Sequence, residues 1–201
     1  MRKTAVILLL FASLAGRAQT VAEAVAKINA ANAVETTVTF DVRTVRNTSM
    51  LSEPLVSTGK VSFSAPSSLR YEGLSPRRSL FVLSGDRVLT ESGGLRRSVD
   101  LKEKSRYQAL VRNIAKSSSG GLVSEKDFDI RVLSGKELIL MMRPLGRDMS
   151  RMFAEITVRA DAATGLIREL ILRDTEGDTT TISLSGVSFG RELSADLFNT
   201  R

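Results

Sequence analysis

The chain of 201 residues contains no cysteine, no histidine and no tryptophan, and only four prolines. Without cysteine there is no disulfide framework, no thiolate nucleophile and no residue for lipid attachment. Without histidine the commonest general base, the usual zinc ligand and any Ser-His-Asp arrangement are excluded. Catalysis would rest on carboxylate, lysine or tyrosine alone. A carboxylate-dependent hydrolase would need two acids facing one cleft, whereas the acids here fall mostly at outward strand positions and in turns. The sequence therefore reads as that of a non-enzyme with no cofactor. A length of this order fits one domain with a sizeable core.

What is present begins with a targeting pattern. Arg2 and Lys3 precede an apolar run from Val6 to Leu14, and Gly16 and Ala18 offer the small residues that a signal peptidase inspects. The run is shorter than the ~20 residues of a membrane span. Residues 1–18 are thus expected to be a signal peptide, leaving residues 19–201 as the working domain. Cleavage would remove three basic residues and no acid, lowering the net charge from +7 to +4. That balance and export both argue against nucleic acid as a partner.

The hydrophobic period then organises the chain. Thr20 and Glu23 have capping-box spacing, and Val21, Ala24, Val25, Ile28 and Ala31 share one helical face through about Asn32. From Glu35 the period drops to two. Strands are expected from that point through Arg43 and over residues 56–65, 69–73, 79–83, 87–90 and 95–101. Tyr107, Leu110, Val111 and Ile114 stand at i, i+3, i+4 and i+7, which predicts a second amphipathic helix over residues 103–116. Strands resume over residues 127–133, 137–142, 153–160, 166–173 and 179–187, and a Pro-Gly loop between Arg143 and Met152 leaves room for a short helical turn. The turn Asp174-Thr175-Glu176-Gly177-Asp178 has acids enough to suggest calcium but lacks the spacing of a calcium loop, and reads as a hairpin. Asp127, Asp129 and Arg131 alternate as the solvent side of a strand.

Short connections force antiparallel pairing. The expected fold is mainly β: a single strongly curved antiparallel sheet of about eleven strands, an unclosed half-barrel covered by two or three helices acting as a lid. Pro66 and Pro76 bracket the strand Leu69-Arg70-Tyr71-Glu72 and let the sheet turn sharply on either side of it. Leu69 and Tyr71 would then face inward, and Arg70 and Glu72 would face water.

Several motifs in fixed order resemble the periplasmic outer-membrane lipoprotein carrier (LolA-type) family. They are Gly59 to Phe63, Pro66, Leu69 to Glu72, Pro76, Leu80 to Val82 with Gly85-Asp86, then Leu140 to Pro144, Ile156 to Val158, Asp161 to Ile167, Asp174 to Thr180 with Ile182 to Leu184, and Asp196-Leu197-Phe198. Together they span about residues 20–198. The resemblance implies an apolar cavity that shields acyl chains of lipoproteins, which a soluble periplasmic monomer carries from an inner-membrane ABC-type releasing complex to an outer-membrane acceptor. A lipid-binding or envelope-sensing module on the same curved sheet is the alternative.

On that reading the cavity would be lined by Phe40, Val42, Val61, Phe63, Leu69, Tyr71 and Val82 from the sheet. Met141 or Met142, depending on register, would fill gaps, and Tyr107, Leu110, Val111 and Ile114 would form the underside of the lid. The chain departs from the family at Ala65, where an arginine often bonds to lid backbone, and at Val42, where a glutamine commonly stands.

Overall fold

A computed structural model describes residues 19–100 and 121–200. Helix α1 spans Val21–Ala31 and opens on the expected capping box: Glu23 N donates to Thr20 Oγ1 at 3.2 Å, and Thr20 N donates to Glu23 Oε2 at 3.0 Å. These two bonds satisfy donors that a helix start would otherwise leave open. Ala24, Val25 and Ile28 form its buried stripe.

Eleven strands follow the period-two pattern. The first six are β1 (Thr37–Asn47), β2 (Leu55–Ser64), β3 (Ser68–Ser75), β4 (Ser79–Ser84), β5 (Arg87–Ser92) and β6 (Leu95–Asp100). The second group comprises β7 (Phe128–Ser134), β8 (Glu137–Pro144), β9 (Phe153–Asp161), β10 (Ile167–Asp174) and β11 (Thr179–Phe189). Between β8 and β9 the anticipated helical turn is α2 (Arg147–Met152), and a 3-10 turn covers Ala195–Phe198. The expected helix over residues 103–116, with Tyr107, Leu110, Val111 and Ile114, lies outside the described residues.

All eleven strands form one antiparallel sheet in the order β6-β5-β4-β3-β2-β1-β11-β10-β9-β8-β7. The two meanders are sewn together by β1 and β11, so the first strand lies mid-sheet and the ends, β6 and β7, do not pair with each other. The sheet is therefore unclosed, as the sequence suggests. Pro66 and Pro76 stand in the turns on either side of β3, where no ladder needs their missing N–H.

Helix α1 packs on one face of the sheet, here called the inner face. Its stripe meets Ile130, Leu138, Leu140, Met142, Val158, Ala160 and Ile167 of β7–β10, together with Val123. Burying side chains of this size contributes roughly 1.5–3 kcal/mol each. Two asparagines fix the helix in place by imitating peptide units. Asn29 Nδ2 donates to Val123 O at 2.8 Å while Val123 N donates to Asn29 Oδ1 at 2.9 Å. Asn32 Nδ2 donates to Gly165 O at 2.9 Å, and Ile167 N donates to Asn32 Oδ1 at 3.1 Å. Gly165 permits this approach: its φ is +81°, and a Cβ would stand 2.9 Å from Lys27 O.

The outer face has its own small core. Val82 and Leu89 are buried there under Phe198, with Leu80, Leu193 and Leu197 around them. Arg70 Nη1 donates to Leu197 O at 3.1 Å, and Ser98 Oγ to Thr200 O at 3.1 Å. The C-terminal segment thus straps β3–β6 from outside.

Candidate functional site

The α1 stripe is used on β7–β10, and beyond it the inner face of the central strands surrounds a hollow. Strand β1 supplies Val38, Phe40 and Val42, whose cross-strand partners on β2 are Phe63, Val61 and Gly59. Directly opposed residues share a face, so these side chains all point the same way. Leu69, paired with Phe63, extends the lining onto β3. From the other meander come Leu184, paired with Val42, then Ile182, Leu170 and Ile167, while Val34 and Leu122 stand at the margin. The hollow measures about 410 Å³.

One irregularity shapes it. The ladder between β1 and β11 shifts between Thr39 and Asp41, where Gly186 has a φ of +61°. An extra residue in one strand resets its alternation. Leu184 and Val187 therefore both line the hollow although three positions apart, and Phe189 follows at the normal spacing of two. A Cβ at Gly186 would stand 3.2 Å from Asp41 Oδ2.

Among the described residues no ionisable side chain lines the hollow, and the one polar lining residue, Asn32, has its amide bonded to Gly165, Ile28 and Ile167. A wall of that composition suits hydrocarbon. The acids lie elsewhere. Asp174 Oδ1 accepts the N–H groups of Glu176 and Asp178 at 2.9 Å each, which closes the β10–β11 hairpin as expected. Donation from Thr48 and Ser49 holds the Asp178 carboxyl below the usual range, and donation from Thr164 does the same for Asp161. Among the described residues no group of three or more acids could hold a metal ion.

Of the side chains expected to line a cavity, Phe40, Val42, Val61, Phe63 and Leu69 converge on the hollow. Tyr71 shares their face, opposite Val61, but its ring lies across Gly59, where a Cβ would come within 2.7 Å of it. It flanks the hollow without lining it. Val82 is corrected: it pairs with Arg70 on the outer face, and its neighbours Phe81 and Leu83 face inward instead. Register assigns the two methionines. Met142 is on the inner face, buried beside α1, and Met141 pairs with Thr157 on the other face, so neither lines the hollow. Sequence reasoning missed Val38, Leu170, Ile182, Leu184, Val187 and Phe189. The alternation of Ile182 and Leu184 was a usable signal, but placing it beside Val42 required the pairing of β1 with β11.

No family model matches the chain, and no curated protein is significantly similar to it. Solved structures do match. An uncharacterized conserved protein from Thermus thermophilus is 12% identical, with 88% of this chain and 91% of that one covered and a TM-score of 0.54. A chain of the MucA/MucB complex of Pseudomonas aeruginosa is 14% identical, with 88% and 59% covered and a TM-score of 0.52, so this chain spans little more than half its length. A LolA superfamily protein from Nitrosomonas europaea is 11% identical, with 90% and 98% covered and a TM-score of 0.48. No helix among the described residues is long and apolar enough to cross a membrane. At these identities the likeness is one of fold.

Proposed function

We propose that the chain is a periplasmic carrier that shields the acyl chains of lipoproteins in the hollow and moves them from the inner to the outer membrane. It would receive cargo from an ABC-type releasing complex and pass it to an outer-membrane acceptor, acting as a monomer after loss of residues 1–18. The observation behind this reading is the hollow itself: about 410 Å³ bounded by apolar side chains from β1, β2, β3, β10 and β11. Each methylene sheltered from water contributes about 0.8 kcal/mol, so ten of them amount to about 8 kcal/mol. A binding site of that kind can replace a bilayer without chemistry at the ligand.

Among the described residues the wall carries no charged group that would select an attached polypeptide over a free lipid. That favours, as the second reading, a lipid-binding or envelope-sensing module. Native mass spectrometry of the chain recovered from the cell envelope separates the two. A co-purifying acylated polypeptide is expected for a carrier, and a glycerolipid alone would assign the second reading. An empty hollow in repeated preparations would contradict both.

A further inference from the structure

Among the described residues, the large apolar side chains left exposed are distributed unevenly between the two rims of the sheet. One rim collects the turns β1–β2, β3–β4, β5–β6 and β10–β11 and the α2 segment, because antiparallel strands return to the same end at every second turn. The β1–β2 turn and its flanks expose Met50, Leu51, Leu55 and Val56, with Met50 89% exposed. Leu74 and Leu95 stand exposed beside the β3–β4 and β5–β6 turns. The α2 segment adds Leu145, Met149 and Met152. Among the described residues the opposite rim exposes Leu133 and Phe189, and Phe189, like the exposed Leu122, lines the hollow.

The turns of the first rim are tied together. Ser49 N donates to Asp178 Oδ1 at 3.0 Å, joining the β1–β2 and β10–β11 turns. Thr175 Oγ1 donates to Arg151 O at 3.4 Å, joining the latter to α2. Between them a second cavity, about 520 Å³, is lined by Met152, Phe153 and Leu172 and also by Arg46, Arg151, Asp174, Glu176 and Asp178. Leu172 and Thr180 pair with each other and are the next inner-face positions after Leu170 and Ile182 of the hollow. The inner face of β10 and β11 therefore reaches this rim, turning polar as it does so.

We infer that this rim is a docking surface for a lipid bilayer. The apolar tips from the β5–β6 turn to α2 stand eight strand spacings apart, about 40 Å along the sheet. They project from separate turns and form no single groove that one protein segment could fill. A fluid plane receives all of them at once, and hydrocarbon is the occupant that suits them. Exposed arginines accompany them: Arg77, Arg78, Arg147 and Arg151 stand with the exposed acids Glu53, Asp148 and Glu176. Arginine can lay its stem along apolar surface and hold its charge at headgroup level. The contact rests first on the apolar tips.

Because the chain contains no cysteine, single cysteines report cleanly on this surface. Met50→Cys, Met149→Cys and Leu133→Cys would each be labelled with an environment-sensitive dye and mixed with vesicles of phosphatidylcholine, alone or with phosphatidylglycerol. A blue shift with both vesicle types is expected at positions 50 and 149 and not at 133. In unlabelled protein, Met50→Asp combined with Met149→Asp is expected to lower the vesicle-sedimented fraction at least fivefold with an unchanged circular dichroism spectrum. Val42→Asp, which alters the hollow, should keep the shift, so failure of the cargo reading and failure of this one are distinguishable. No shift with vesicles, an equal shift at position 133, or a shift that follows protein concentration without vesicles would overturn the inference.

Discussion

Val42→Asp is expected to lower affinity for a fluorescent acyl probe by at least tenfold while moving the thermal midpoint by only a few degrees. Val42 sits mid-floor in the hollow, opposite Leu184 on β11 and Gly59 on β2, and is half-exposed. In the free protein a carboxylate there remains hydrated, because the hollow is open on one side. When a hydrocarbon chain enters, that charge must give up water with no partner among the described lining residues, which costs several kcal/mol. Val42→Leu keeps the chemistry and is expected to retain binding. Equal probe affinity in Val42→Asp and the parent, measured by titration, would separate the hollow from ligand binding altogether.

Leu140→Ala is expected to cost about 2–5 kcal/mol, whereas Phe40→Ala should cost about 1 kcal/mol or less despite removing more atoms. Leu140 has no solvent exposure and is enclosed by the α1 core, so its deletion leaves a cavity among packed neighbours. Phe40 is half-buried and faces space that is already open. For a chain of this size, each kcal/mol corresponds to about 2–4 °C in melting temperature. Chemical denaturation of both variants measures the contrast. Similar losses would mean that the central half of the inner face is as tightly packed as the half beneath α1.

Period-two alternation was enough to place all eleven strands, because most have one wetter face and short turns between them. It could not say which way Val82 points. Leu80, Phe81, Val82 and Leu83 form a continuous apolar run, since apolar cores lie on both sides of β4: Leu83 and Phe81 inward, Val82 and Leu80 beneath the C-terminal strap. The run from Leu138 to Met142 posed the same ambiguity, which the pairing with β9 resolved in favour of Leu138, Leu140 and Met142 on the inner face. The lining from β11 was hidden for two reasons. Its partner β1 is more than a hundred residues away in the chain, and the shift at Gly186 reverses the alternation before Val187. The asparagine anchors of α1 were equally illegible, because Asn29 and Asn32 look like ordinary polar positions until Val123, Gly165 and Ile167 are brought beside them.

The most direct measurement is methyl NMR of the chain titrated with a nitroxide-labelled fatty acid, with the nitroxide placed along the acyl tail. Signals of Val42, Val61, Ile182 and Leu184 are expected to broaden first, while Leu89 and Val82 beneath the C-terminal strap stay sharp. Broadening confined to the outer face, or none at saturating probe, would contradict the assignment of the hollow as the seat of a hydrocarbon chain.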